Sequence, residues 1–176
     1  METTRDNLRF SLESWPEAGL TAQFALAPST LSPYLEEAMA RDDNLVEGGA
    51  PQLVSAMKGS LRLQLFGRRL RVAGVFAVRV ELACHRCLAV FVHKLSDQFE
   101  ELVDLIGPGE ETEEAELAVV TVDNQFDLTP LLVEQMWLAW PIKVLCRPDC
   151  LGLCLNCGAN LNEGLCSCGR PLTLKH

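Results

Sequence analysis

Alternation of apolar and polar residues is the most persistent pattern in this chain and predicts several strands with one buried face. It runs through Leu20–Leu26 and residues 61–65, then through residues 70–82, where Gly74 interrupts it and suggests a bulge or bend. It resumes at residues 88–92 and again at residues 119–126. The period of residues 99–106 fits a strand or a helix equally well. We therefore expect a sheet-rich protein.

Two helices are predicted where a capping side chain stands directly before a proline, which suits the first helical position because that N–H has no partner. Ser32 and Pro33 predict a helix over residues 33–40, and Thr129 and Pro130 predict one that ends before Pro141. The second helix is apolar on nearly every face, so it is expected to be buried or to lie in an interface.

These elements predict an α+β fold, with a largely antiparallel β-sheet and a few helices. Six cysteines within residues 146–168, at the close spacing typical of zinc ligands, predict a cysteine-rich, zinc-binding C-terminal segment. Residues 1–145 would form the α+β core domain, with a Cys-x-x-Cys hairpin at residues 84–87. Residues 146–176 would form the zinc-binding segment packed on that core. Residues 41–51 and the acidic stretch 107–116 are predicted to be loops from their glycine, proline and charge content.

Composition is that of a folded protein, with 48% hydrophobic and 22% charged residues among 176. The sequence contains no apolar run of membrane-spanning length and no signal-peptide pattern at its start, which predicts a cytoplasmic protein without a membrane partner.

The net charge of −9 argues against a surface that binds phosphates everywhere. Residues 58–94, however, carry a single acid, Glu81, whereas residues 97–116 carry no basic residue at all. The sequence thus predicts a basic sheet followed by an acidic loop. The residues on that sheet that could contact the phosphates of a nucleic acid are Arg62, Arg68, Arg69, Arg71, Arg79 and Arg86.

All eight cysteines are candidate metal ligands, because closely paired cysteines in a reducing compartment indicate metal or redox chemistry. They are Cys84, Cys87, Cys146, Cys150, Cys154, Cys157, Cys166 and Cys168. The preferred division places the last four on one structural zinc and the first four on a second, since the last four are close in sequence. The tight spacing of Cys166 and Cys168 also allows other divisions, and a single zinc with spare thiols is a further alternative.

Catalysis is not predicted, since closed sites of four cysteines are structural in most proteins and no general-base motif accompanies these cysteines. A redox role for Cys84 and Cys87 would need the first cysteine at a helix N-terminus, but the pair lies between strand-patterned segments. No small-molecule substrate is expected.

Three stretches resemble a known family: ELACHRCLAVFVHKLSDQF, LAWPIKVLC and above all CRPDCLGLCLNCGANLNEGLCSC. They are similar to the YceD family, the large ribosomal RNA subunit accumulation proteins of bacteria and plastids, over roughly residues 61–168. The resemblance implies a non-enzymatic role in the accumulation or processing of large-subunit (23S) ribosomal RNA. The implied partners are ribosomal RNA, ribosomal proteins or assembly proteins.

Two other functions stay open at this point. One is a zinc-stabilised module for protein–protein interaction that makes no RNA contact. The other is a thiol oxidoreductase that uses the Cys-x-x-Cys pair. Aromatic residues that could stack on bases are sparse on the predicted sheet, so any RNA contact is expected to be to phosphates and insensitive to sequence.

Overall fold

The computed structural model describes residues 4–13, 15–41, 52–110, 117–164, 166 and 168. The chain divides into two compact units, one formed by residues 1–80 with 94–140 and the other by residues 81–93 with 141–176. Most of the two predicted loops, at residues 42–51 and 111–116, lies outside the described residues.

The described residues form eight strands and two helices. In chain order they are β1 Arg9–Ser11, β2 Leu20–Leu26, α1 Pro28–Arg41, β3 Gln52–Leu53, β4 Met57–Phe66, β5 Arg69–Ala83, β6 Val90–Ile106, β7 Ala118–Val120, β8 Gln125–Asp127 and α2 Thr129–Leu138. The main sheet has the order β2-β4-β5-β6-β7, with β3 pairing β5, and β1 pairs β8 separately. Strands β2, β4 and β5 are antiparallel neighbours, while β6 and β7 run parallel. The predicted α+β class with a largely antiparallel sheet is confirmed.

The register of β4 against β5 separates a buried face from an exposed one. Leu61 and Leu63 point into the core on β4, as do Leu70 and Val72 on β5, while the residues between them face solvent. The predicted bulge at Gly74 is wrong, because Gly74 pairs with Leu61 in unbroken register. Glycine is required there for space: an added Cβ would lie 2.6 Å from Leu61 Cδ2 and 2.8 Å from Phe99 Cζ.

Residues 99–106, whose period was ambiguous, continue β6. Residues 119–126, in contrast, are not the single strand that the sequence predicts. Asp123 and Asn124 adopt positive φ angles of 50° and 58°, which make a tight turn between β7 and β8. Asx residues enter this region more readily than others, and this local preference outweighs the apolar alternation.

Helix α1 begins at Pro28 and not at Pro33, so its predicted start is wrong. The rule that places proline at the first helical position holds, but it applies to the earlier proline. Pro33 lies inside the helix, and the Ser32 hydroxyl donates to the Pro28 carbonyl at 2.9 Å instead of capping the N-terminus.

Helix α2 is buried on most of its surface, as its apolar sequence predicts. Its start is fixed by Asp127, whose carboxylate accepts bonds from the Thr129 N–H and the Tyr34 hydroxyl of α1, both at 2.8 Å. Leu132 and Met136 of α2 are almost completely enclosed.

The second unit contains few regular elements. It takes in the last residues of β5, the turn at residues 84–89 and the first residues of β6, together with the irregular chain of residues 141–164. The CHRC tetrapeptide lies in the turn between two strands, as the sequence predicts.

Candidate metal centre

The eight cysteines of the second unit form two groups of four. Within each group, all four sulfurs lie within 4.8 Å of one another. The hairpin cluster comprises Cys84, Cys87, Cys146 and Cys150, and the C-terminal cluster comprises Cys154, Cys157, Cys166 and Cys168. The structure thus brings together the same two sets that the sequence spacing favoured.

The hairpin cluster is positioned by backbone hydrogen bonds from both of its chain segments. The Leu88 N–H donates to the Cys84 carbonyl at 2.9 Å, which closes the turn that carries the first two sulfurs. The His85 N–H donates to the Val144 carbonyl, also at 2.9 Å, and so ties this turn to the segment that carries the other two. Three of the four cysteines are buried, and Phe91 packs against them.

Electrostatics in the hairpin cluster favour a thiolate at Cys84. Burial raises the pKa of Cys84, but backbone N–H groups of Cys146 and Cys87 donate to its sulfur and bring its pKa down to about 6. Burial and the neighbouring sulfurs raise the pKa of Cys146 to about 12. Cys84, the first cysteine of the turn, is therefore predisposed to bind a cation as a thiolate.

The C-terminal cluster repeats the turn with local ligands. The Gly158 N–H donates to the Cys154 carbonyl at 2.9 Å, and the Cys154 N–H donates to the Ala159 carbonyl at 2.8 Å. Backbone N–H groups of Asn156 and Cys157 lower the pKa of Cys154 to about 6, while the Cys157 sulfur raises the pKa of Cys168 to about 11. Cys157 is exposed, so this cluster is the more open of the two.

Two asparagine amides donate to the cluster sulfurs, and no motif or period in the sequence marks either residue. Asn156 Nδ2 lies 3.2 Å from Cys168 Sγ, and Asn162 Nδ2 lies 3.3 Å from Cys150 Sγ. Asn162 Oδ1 also accepts the Leu151 N–H at 2.8 Å. Although Asn162 stands between ligands of the C-terminal cluster in sequence, it therefore supports the hairpin cluster.

The donor geometry fits a metal ion at each cluster. Four thiolates around zinc, with bonds of about 2.3 Å, have sulfur–sulfur edges of about 3.8 Å. In the hairpin cluster the Cys84–Cys150 and Cys87–Cys146 sulfur pairs are each separated by 3.7 Å. Each cluster could hold a metal ion through all of its sulfurs.

The six candidate RNA-contacting arginines do not share one environment. Three of them form ion pairs on the first unit: Arg68 with Glu110, Arg69 with Asp104 and Arg71 with Glu100. Arg62 and Arg79 are exposed on the same unit, and neither has an ion-pair partner among the described residues.

Arg86 belongs to the second unit. Its Nη1 donates to the Cys150 carbonyl at 2.9 Å, and its own carbonyl accepts the Leu153 N–H. Its side chain is thus engaged beside the hairpin cluster.

Within the described residues, none of the helices combines the length and the apolar character needed to cross a membrane.

Comparison with known proteins finds relatives of this chain. A protein of Mycobacterium tuberculosis, titled as uncharacterized, is 33% identical over 103 residues, which are 57% of this chain and 49% of that relative. The Arabidopsis thaliana protein titled "Large ribosomal RNA subunit accumulation protein YCED homolog 1, chloroplastic" is 28% identical over 130 residues, or 58% of this chain and 40% of its own length. The chain spans about half the length of the curated relatives that it matches. No solved structure matches it with significance.

The family model described as "Large ribosomal RNA subunit accumulation protein YceD" matches residues 72–173. The match covers more than half of the chain and takes in both four-cysteine clusters, so this protein belongs to the YceD family.

Proposed function

We propose that this protein is a non-enzymatic, cytoplasmic ribosome-biogenesis factor that supports the accumulation and processing of large-subunit (23S) ribosomal RNA. Membership of the YceD family is the observation that carries the proposal, since plant relatives are named for large ribosomal RNA subunit accumulation. Its partners would be ribosomal RNA and the proteins that assemble on it.

Zinc is the metal we propose for both clusters, in a structural role. A tetrahedral set of four thiolates suits zinc and fills its coordination shell, which leaves no open position for a substrate or a reactive water. The buried residues of the hairpin cluster are three of its own cysteines, and the apolar side chains packed against them, such as Phe91 and Leu145, are only partly buried. We therefore expect the second unit to depend on metal crosslinks for its shape.

Gene deletion tests the role in cells. We expect the ratio of large-subunit to small-subunit ribosomal RNA to fall and unprocessed large-subunit precursor to build up, with both restored by the wild-type gene. An unchanged ratio and an unchanged precursor level in the deletion strain would contradict the proposal. Elemental analysis of the purified protein tests the metal, with about two zinc ions per chain expected from the two clusters.

A protein-interaction module without RNA contact is a second candidate, and exposed apolar side chains on the second unit favour it. Leu155 and Ile142 are fully exposed, and Leu88 and Val90 are largely so. Filter binding to ribosomal RNA at several salt concentrations separates the candidates. Absence of binding even at low salt would favour the interaction module.

A further inference from the structure

The exposed face of the sheet in the first unit carries a groove bordered by three cations. Lys58 of β4, Arg79 of β5 and Lys94 of β6 line it, together with Ala77 and the short segment at Ser55. The groove has a volume of about 410 Å³ and is open to solvent. Among the described residues that line it, none is acidic.

The strand register explains why these cations converge. Lys58 pairs directly with Ala77, and Arg79 follows two residues later on β5, so Lys58 and Arg79 project from the same face. Lys94 of β6 lines the same groove. The residues beside them in sequence, Met57 and Val78, are buried on the opposite face. Because Ala77 is small, it leaves open space between the long side chains around it.

The backbone of Arg79 is held on both sides. Its N–H donates to Ser55 Oγ at 3.0 Å, and its carbonyl accepts the Val54 N–H at 2.9 Å. These two bonds hold the Arg79 backbone in place, so its side chain projects toward the groove from a fixed position. The side chains of Lys58, Arg79 and Lys94 have no ion-pair partner within the described part of the chain.

Three arginines at the other end of the same sheet are neutralised by ion pairs with acidic side chains. The paired arginines, Arg68, Arg69 and Arg71, each contact a carboxylate, and the Arg71–Glu100 pair spans 2.6 Å. A phosphate approaching them would have to displace an acid that is already in place. At the groove it would meet uncompensated positive charge in a chain with a net charge of −9.

We propose that the groove of Lys58, Arg79 and Lys94 binds the phosphate backbone of RNA. This inference rests on the proposed function, which supplies large-subunit ribosomal RNA as the polyanion. None of the described residues that line the groove is aromatic, so it would position RNA without reading its sequence. The described residues that line the groove include no large exposed apolar side chain that could enter a lipid bilayer. Membrane surfaces are also usually recognised by clusters of about four to eight basic residues, so three cations suit an RNA strand better.

The experiment compares two triple variants that remove the same charge. Lys58→Ala/Arg79→Ala/Lys94→Ala removes the groove cations, and Arg68→Ala/Arg69→Ala/Arg71→Ala removes the paired arginines. Binding of fluorescent polyuridylate and of a large-subunit ribosomal RNA fragment would be measured by anisotropy between about 50 and 200 mM salt.

We expect the groove variant to lose roughly tenfold or more in affinity. The negative slope of log K against log salt should become shallower by about two, because each of three lost single-strand phosphate contacts contributes about −0.7. The paired-arginine variant should lose less than about threefold. A charge-conserving Lys58→Arg/Lys94→Arg variant should bind as the wild type does, and matching thermal unfolding curves would show that all variants fold.

Equal losses in the two triple variants, or no RNA binding by the wild type at low salt, would overturn the inference. So would groove-dependent binding to phosphatidylserine vesicles without RNA binding. Complementation of the deletion strain separates this inference from the proposed function. A ribosomal RNA defect on deletion that is fully rescued by a groove variant with wild-type RNA affinity would overturn the inference about the groove alone, whereas groove-dependent RNA binding with no ribosomal RNA defect on deletion would overturn the proposed function alone.

Discussion

Both four-cysteine clusters start from a Cys-x-x-Cys turn with the same two backbone hydrogen bonds, but they draw their remaining sulfurs from very different distances along the chain. In the hairpin cluster, Cys87 and Cys146 are 59 residues apart in sequence. In the C-terminal cluster, all four ligands fall within residues 154–168. The first cluster joins two distant segments, whereas the second stiffens a single loop.

The difference also extends to burial. The hairpin cluster has three buried cysteines, while Cys157 of the C-terminal cluster is exposed and the other three are half-buried. A crosslink that closes a long loop removes more freedom from the unfolded chain than one that closes a short loop. The hairpin cluster should therefore carry most of the stability of the second unit.

Replacing Cys84 and Cys87 together by serine is the largest disturbance. We expect at least one metal ion per chain to be lost and the second unit to unfold, because apparent binding energy on the order of 10 kcal/mol for the structural metal disappears. Elemental analysis would follow the metal, and hydrogen exchange of the His85 amide, which bonds to Val144, would follow the fold.

Replacing Cys166 and Cys168 by serine is the matched change at the other cluster. One metal ion should again be lost, but the His85 amide should keep its protection while the Cys154 and Gly158 amides exchange faster. If the His85 amide exchanged as fast as in the Cys84 and Cys87 variant, the two clusters would form one cooperative unit and the comparison would fail.

The division of the cysteines could be read from the sequence because sequence proximity limits how four thiolates can meet. Residues 154–168 are too short a loop to reach far, so their four cysteines meet locally and leave the other four for each other. The strands could also be predicted from the sequence, because a sheet with one buried face imposes an alternation of apolar and polar residues.

What the sequence could not show depends on side chains that meet across loops. Asn162 bonds to a sulfur twelve residues earlier, and no periodicity or motif marks that pairing. The arginines were likewise equivalent in sequence. Only the fold shows that Arg71 faces Glu100, while Arg79 faces a groove in which none of the described lining residues is acidic.

Asn162→Ala should weaken metal binding at the hairpin cluster even though Asn162 lies in the C-terminal loop. The change removes the N–H···S bond to Cys150 and the acceptor of the Leu151 N–H, and loss of such supporting bonds costs roughly tenfold or more in metal affinity. Asn156→Ala, which removes a similar bond to Cys168, is the matched control and should affect only the C-terminal cluster. Chelator competition in the background of the Cys166 and Cys168 variant, which keeps only the hairpin cluster, would measure both changes. Asn162→Ala should weaken metal binding there and Asn156→Ala should not, and unchanged affinity with Asn162→Ala would contradict the assignment.

The smallest expected effect concerns the residue that follows each Cys-x-x-Cys turn. Gly158 has a φ angle of 71°, and among the described residues no atom lies within 4 Å of an added Cβ. Gly158→Ala should therefore act through backbone strain and cost about 1 kcal/mol. Leu88 already adopts a φ angle of 59° with its side chain 65% exposed. Leu88→Gly relieves that strain but adds freedom to the unfolded chain, so stability should change by less than about 0.5 kcal/mol. Thermal unfolding of the metal-loaded protein would measure both changes, and a clear loss in Leu88→Gly would show that Leu88 stabilises the hairpin turn through packing.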